Sequence, residues 1–316
     1  MAPKFSRIVF DLDGVIYRGH TPIAGAAEAV ERIRAAGMRV SFLTNNATRS
    51  RLDLKKRLSR FGVEADVSDI MTSAYATARY LKSLKPRARE VFVVGEEGLR
   101  EEIRQAGLPL LPGVLDGEQA SATTFSRIPS EKTARNADVL VCGLDRQITY
   151  AKLASALEVL HSGAKWIACN LDPTLPMETG AHPGSGSLIA SLAYAAGKIR
   201  HGKEEAGSPR RAGAHLSNII LHEPDYVVGK PNPYMLELLL GGKNGAGAGR
   251  AGNRPSVLFV GDRLDMDIGF ANTAGLSSML VLTGVSTKEE AKKAKGHLKP
   301  RYILSSVADV PEWLGI

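Results

Sequence analysis

Short apolar runs alternate along the chain with longer stretches of helical spacing. RIVF (7–10) stops at two aspartates. AGAAEAVERIRAAG (24–37) carries apolar residues at three- and four-residue intervals and ends on Gly, which predicts a helix and its stop. MRVSFLT (38–44) reads as a second strand and SRLDLKKRLSRFG (50–62) as a second helix. DIMTS (69–73) and AYATARYLKSL (74–84) repeat the pair. Strand and helix in strict alternation predict a parallel sheet wound with right-handed crossovers.

A second series follows: EVFVVG (90–95), GLREEIRQAG, ADVLVCG (137–143), TYAKLASALEVLHSG (149–163) and AKWIACN (164–170). It has strands and helices of its own, so it predicts a separate α/β unit. A third series comprises DYVVG (225–229), PYMLELLL (233–240), SVLFVG (256–261), DIGFANTAG (267–275), SMLVLTG (278–284) and KPRYILSS (299–306). These are expected to be the remaining strands and helices of the first sheet. Between them lie two surface additions, the mixed charge, Gly and Pro of 200–222 and the Gly-rich 241–254. The latter lacks GxGxxG or a terminal Gly-Lys-Ser/Thr, so it reads as a linker and not as a phosphate cradle.

Composition adds boundaries. With 316 residues, 44% of them hydrophobic and 23% charged, the chain can build one large or two moderate globular units. The formal charge of +8 comes from scattered basic residues. There is no basic helix, zinc spacing or basic-aromatic interleaving, so nucleic acid is not the expected partner. Cys142 and Cys169 sit in apolar runs without metal-ligand spacing and read as reduced core residues. The N-terminal apolar run is too short for a signal peptide, and SLIASLAYAAG (187–197) is too short to span a bilayer. A cytoplasmic enzyme without membrane partners is expected.

The candidate chemistry sits at the ends of strands, where open parallel sheets bind ligands. Asp11 and Asp13 follow the first strand, and Thr44, Asn45 and Asn46 follow the second. Lys230 follows DYVVG, and Asp262 and Asp267 follow SVLFVG. Residues two apart on an extended segment face one side, so Asp11 and Asp13 can aim at one place. Carboxylates so crowded need a cation, and Mg²⁺ takes oxygen ligands while keeping positions for waters and phosphate oxygens. Thr44, the Asn45 backbone and Lys230 supply donors and positive charge for a phosphate. One Asp of the pair can attack phosphorus while the other moves protons; the residues alone leave open which does which. Gly14 permits the turn that lets the second acid reach the leaving group.

FDLDGVIY, FLTNNATRS, VGKPNPYM and GDRLDMDIGFANTAG resemble, in order and spacing, the four motifs of the haloacid dehalogenase (HAD) superfamily. DGVIYRG, TNNATRS, GKPNPYM and LTGVST are similar to the branch of 4-nitrophenylphosphatases, phosphoglycolate phosphatases and pyridoxal phosphatases. The resemblance implies a Rossmann-like parallel-sheet core, 1–86 and 201–316, with a separate inserted α/β cap domain, 87–200. It implies Asp11 as nucleophile and Asp13 as general acid/base. Mg²⁺ is expected on Asp11, the Asp13 carbonyl and Asp262, with Asp267 orienting the metal's waters or Lys230. Thr44, Asn45, Asn46 and Lys230 are expected to hold the phosphoryl group. Met266 departs from the Thr that the branch commonly carries there, and Asp265 is an extra acid expected to be exposed.

GLDRQITYAKL (143–153) and CNLDPTLPMETGAHPGSGSL (169–188) resemble the cap's characteristic stretches. The resemblance places Asp172, Thr174 and Leu175 near the leaving group. Leu at 175, where pyridoxal phosphatases tend to carry His, tilts the expected substrate towards a small, non-aromatic phosphate ester, phosphoglycolate-like. The expected activity is Mg²⁺-dependent hydrolysis of small phosphometabolites through an aspartyl-phosphate. The alternatives are a pyridoxal-phosphate or nucleotide phosphatase and, further off, a protein phosphatase or a catalytically dead scaffold. Caps of this branch often mediate dimers, so a homodimer through the cap is a further expectation.

Overall fold

The structure is a computed structural model of the chain that describes residues 5–111, 137–177, 180–199, 219–241 and 256–316. Most of the 200–222 and 241–254 stretches, read above as surface additions, lies outside the described residues.

Six parallel strands form the first sheet, in the spatial order Tyr302–Leu304, Ser277–Val281, Val257–Gly261, Arg7–Phe10, Arg39–Thr44 and Ile70–Thr72. The central strands are apolar on both faces because both faces are covered. Ile8 and Phe10 pack with Phe42, Leu258 and Val260 under the helices Ala26–Ala35 and Arg51–Arg60. Val9, Leu43 and Phe259 point the other way, into a second apolar cluster. Local signals fix the helix starts: Ser50 and Thr72 accept from the Asp53 and Tyr75 amides and cap Arg51–Arg60 and Ser73–Ser83.

The inserted series forms a second parallel sheet of four strands, ordered Tyr226–Val227, Lys165–Ala168, Val139–Cys142 and Val91–Val94. The sequence pattern had assigned DYVVG to the first sheet. Instead Tyr226 and Val227 pair with Ile167 and Ala168, so this strand completes the inserted sheet before the chain returns to the core. An apolar run specifies a strand but not which open edge it joins; here the unpaired edge of Lys165–Ala168 takes it.

The two sheets are tied by a continuous apolar cluster. It runs from Val9, Leu43 and Phe259 through Ala74 and Ala78 of Ser73–Ser83 to Val91, Val93, Val141 and Ile167. A polar tie lies beside it. Glu102, on the helix Glu97–Gln105, is 3% exposed and accepts from the Arg51 backbone N–H at 2.7 Å and from its Nε at 3.3 Å. On the same helix, a side chain at Gly98 would meet the Arg49 backbone at 2.3 Å. Glycine there lets the inserted helix sit directly on the loop that follows the second strand.

Candidate active site

The three central strands, Val257–Gly261, Arg7–Phe10 and Arg39–Thr44, are parallel neighbours, so their carboxyl ends open on one spot. Asp262, Asp11 and Thr44-Asn45 therefore meet there, at the position where open α/β sheets bind ligands. Lys230 arrives from the opposite side, three residues beyond the last strand of the inserted sheet. Asp11, Asp13, Thr44, Asn45, Asn46, Lys230, Asp262 and Asp267 all line one cleft, and Asp172, Thr174 and Leu175 line its other wall.

Lys230 is the hub. Its Nζ donates to Asp11 Oδ1 at 2.7 Å and to Asp267 Oδ1 at 2.6 Å. Burial alone would lower the ammonium's pKa, but the two carboxylates override it and hold the lysine charged. The second oxygen of Asp267 accepts the backbone N–H groups of Asp262 and Arg263 at 3.1 and 3.0 Å. Asp267 thus fixes both Lys230 and the turn that carries Asp262. The segment that follows, Leu264–Ile268, carries Asp267 and is π-helical, a local widening common at functional sites.

Asp262 is wedged between two glycines. A Cβ at Gly14 would come within 2.5 Å of Asp262 Oδ2, and one at Gly284 within 1.9 Å. Gly14 also has φ of 82°, in the left-handed region. Val285 N–H donates to Asp262 Oδ2 at 2.8 Å, and Thr283 Oγ1 donates to the Gly14 carbonyl at 2.6 Å. LTGVST is therefore part of the site, although the stretch offers no acid or base to announce it.

Burial strains the carboxylates. It pushes Asp11 up to about 7, offset by Lys230 and reinforced by Asp267. It pushes Asp13 up to about 6 against the pull of Arg57 and Lys230. Asp262 is raised well above the usual range by burial, with Asp267 and Asp11 adding repulsion. Oxygens of Asp11, Asp262 and Asp267 lie within 4.8 Å of one another. This is a hard-oxygen donor set short of positive charge, and it fits a divalent cation such as Mg²⁺. Since Asp267 already accepts three hydrogen bonds, Asp11 and Asp262 retain the more open oxygens. The Asp13 side chain lines the cleft but is not in that cluster.

The amide pair is more committed than its sequence suggests. Asn45 Oδ1 accepts the Lys230 N–H at 2.8 Å, and its Nδ2 donates to the Lys230 carbonyl at 3.2 Å and to Asp172 Oδ1 at 3.1 Å. Asn46 Oδ1 accepts from Thr48 N and Oγ1 at 2.9 and 2.7 Å. Both side chains brace the loop, and Thr44 Oγ1 accepts the Asn46 N–H at 3.1 Å. Sequence reasoning did not single out Asn170 and Ser73, whose side chains donate to the Asn45 carbonyl at 2.7 and 2.6 Å. Asn170 belongs to the inserted unit, so it joins the two walls. Asp265 pairs with Arg263 at 2.9 Å, its side chain 63% exposed, and stands outside the carboxylate cluster as expected. Met266 lines the cleft.

A parallel sheet with a carboxylate-lysine centre at its strand ends defines an α/β protein with a charged ligand site at the usual place for such sheets. Residues 8–109 match the haloacid dehalogenase-like hydrolase family and residues 227–310 the HAD-hydrolase-like family. The chain is 33% identical to glycerol-3-phosphate phosphatase of Gallus gallus, over 96% of this chain and 90% of that one. It is 34% identical to phosphoglycolate phosphatase 2 of Arabidopsis thaliana, over 96% and 91%. Among solved structures, p-nitrophenyl phosphatase from Archaeoglobus fulgidus superposes with a TM-score of 0.73 at 32% identity, covering 98% of this chain and 99% of that one. Glycerol phosphate phosphatase from Mycobacterium tuberculosis, in complex with magnesium, gives 0.71 at 31%, covering 96% and 75%. The chain belongs to the haloacid dehalogenase-like hydrolase family. It is a phosphoric monoester hydrolase of the HAD type, and the inserted α/β unit stands where that fold carries its cap. Among the described residues, no helix is long and apolar enough to cross a membrane.

Proposed function

We propose that the protein hydrolyses small, non-aromatic phosphate monoesters, phosphoglycolate-like, with Asp11 as nucleophile and Asp13 as general acid/base. The observation that carries this is the Lys230 ammonium held between Asp11 and Asp267. Lys230 opposes the rise that burial imposes on Asp11 and aims its carboxylate, and its positive charge meets the phosphoryl oxygens. An Asp11 oxygen attacks phosphorus, the bond to the leaving alkoxide breaks, and Asp13 gives that alkoxide its proton. Asp13 is suited to the task because burial raises it to about 6, where it can both give and take a proton near neutrality. Asp13 then takes a proton from water as the water attacks the aspartyl-phosphate and frees Asp11. Mg²⁺, held by Asp11, Asp262 and the Asp13 carbonyl, supplies charge stabilisation for the phosphoryl oxygens. The Thr44 hydroxyl and the backbone at Asn45 and Asn46 hold the phosphoryl group, while the two amide side chains keep that backbone in place.

Asp172, Thr174 and Leu175 face the leaving group from the cap. Leu175, on the short strand Thr174–Pro176 paired with Ala181–Pro183, stands where pyridoxal phosphatases tend to carry His, which supports a small leaving group over a pyridoxal ring. Exposed Tyr150, Leu171, Tyr194 and Leu221 on the cap support a homodimer through this unit, and the two buried, unpaired cysteines support a cytoplasmic enzyme. The test is a phosphate-release screen over small phosphometabolites, pyridoxal phosphate and nucleotides, with and without Mg²⁺. Mg²⁺-dependent turnover strongest on the small aliphatic esters supports the assignment; turnover strongest on pyridoxal phosphate or nucleotides overturns it.

A further inference from the structure

The cleft continues into a second, strongly cationic pocket on the core side. It is lined by His20, Arg49, Asp53, Lys56, Arg57, Arg60 and Phe61. On the helix Arg51–Arg60, Arg60 stands four residues after Lys56 and three after Arg57, so it neighbours both. Against these cations the pocket holds a single carboxylate, Asp53, which accepts from Ser50 Oγ at 2.8 Å, while the Asp53 backbone N–H donates to Ser50 Oγ at 3.2 Å as the helix cap. Lys56 approaches Asp53 only to 4.0 Å. His20, Arg49 and Arg57 line both this pocket and the active-site cleft, so the two are contiguous.

Arg49 differs from its neighbours. Arg57 is spent: it donates to the Gly19 carbonyl and lies 4.2 Å over the Tyr17 ring. Arg146, on the cap side of the cleft, makes a bidentate pair with Glu96 at 2.7 Å. Arg263 is paired with Asp265. Among the described residues, no carboxylate pairs with the half-buried Arg49 guanidinium. Its backbone is nevertheless firmly held. The Gly98 N–H donates to the Thr48 carbonyl at 3.3 Å, Gly98 abuts Arg49, and buried Glu102 grips the next residue but one. An unpaired arginine held at a cleft wall is a ready site for a planar anion.

We propose that Arg49, with Lys56 beside it in the cationic pocket, binds a second anionic group on the leaving group of the substrate. The ligand chemistry is a phosphate monoester that also bears a carboxylate or a second phosphate. The inference rests on the phosphatase reading above and adds to it that charge selection is made by the core helix, opposite the cap loop. The phosphoryl end meets Lys230 and Thr44, and the second anion lies outward along the wall where the cationic pocket begins.

The test compares esters that differ only in that second charge: ethyl phosphate, 2-phosphoglycolate and the bisphosphate of ethylene glycol, each with saturating Mg²⁺. The parent enzyme is expected to prefer at least one charged ester over ethyl phosphate in kcat/KM. Whether phosphoglycolate or the bisphosphate benefits more identifies the second anion as carboxylate or phosphate. Arg49→Gln is expected to lower the charged-to-ethyl ratio by about tenfold, the size of one lost charge-assisted hydrogen bond, mainly through KM. Arg49→Lys is expected to restore part of it. Equal loss on ethyl phosphate and the charged esters, or a parent without charge preference, overturns the subsite and leaves the phosphatase reading standing. A parent that releases no phosphate from any ester overturns that reading itself.

Discussion

Lys230 Nζ stands 2.7 Å from Asp11 Oδ1 although the two residues are 219 positions apart in the chain. One comes from the first strand of the core sheet and the other from the end of the inserted sheet. The salt bridge therefore exists only when both layers are built and joined. Its third member, Asp267, is equally buried, so the ammonium neutralises two carboxylates that would otherwise repel.

Removing that charge should be costly twice over. Lys230→Met leaves Asp11 and Asp267 buried without a countercharge, for which about 3–5 kcal/mol of destabilisation is expected in urea unfolding without metal. Turnover of 4-nitrophenyl phosphate should fall by about 10²–10³-fold, as for loss of one preorganised donor. A variant that unfolds like the parent would contradict the assigned role of the lysine.

Asp262→Asn should act in opposite directions with and without metal. Burial, Asp267 and Asp11 all disfavour its charge, so the amide relieves repulsion while an oxygen can still accept from Val285. The metal-free variant is expected to melt at or above the parent's temperature, whereas the increase in melting temperature on adding Mg²⁺ should be lost. Differential scanning fluorimetry with EDTA and with Mg²⁺ reads both.

The pH dependence follows from the raised carboxyls. Asp13 and Asp11 move from 3.8 to about 6 and about 7. A folded pKa above the unfolded one means protons bind more tightly to the native state. The associated stability is present below pH 3.8 and is lost as pH rises through 6 to 7. Metal-free protein should thus lose stability between pH 5 and 8 from these groups, while Mg²⁺, which needs ionised ligands, should stabilise more at pH 8 than at pH 5. A stabilisation by Mg²⁺ that shrinks with rising pH would contradict the assignment.

Gly98→Ala tests the junction between cap and core. The added methyl meets Arg49 backbone at 2.3 Å, where no flexible side chain can yield. A loss of about 1–3 kcal/mol is expected from overpacking, with KM rising more than kcat falls because the cap wall shifts. Ala106→Gly at the C-terminal cap of the same helix serves as a control for helix loss without a cap-core clash.

Much of this was legible in the residues. The strand-helix alternation specified a parallel sheet, and four polar clusters at strand ends specified the site, because each is local in the chain. What escaped depends on contacts between distant segments. Tyr226–Val227 looked like a strand of the core because its apolar run carries no mark of its partner. The Asn45 backbone was legible as a phosphate donor, whereas its side chain's tie from Lys230 to Asp172, residues 185 and 127 positions away, was not. Gly284, Gly98 and Glu102 are ordinary residue types; only the approach of Asp262 and of residues 49–51 gives them meaning.

The most direct test of the central claim is to stop the Mg²⁺-dependent reaction with 4-nitrophenyl phosphate in acid and locate the phosphoryl group by mass spectrometry. Phosphate on the peptide carrying Asp11, and its absence in Asp11→Asn with loss of turnover, is the predicted result. Phosphate on another residue, or full turnover by Asp11→Asn, would contradict the account.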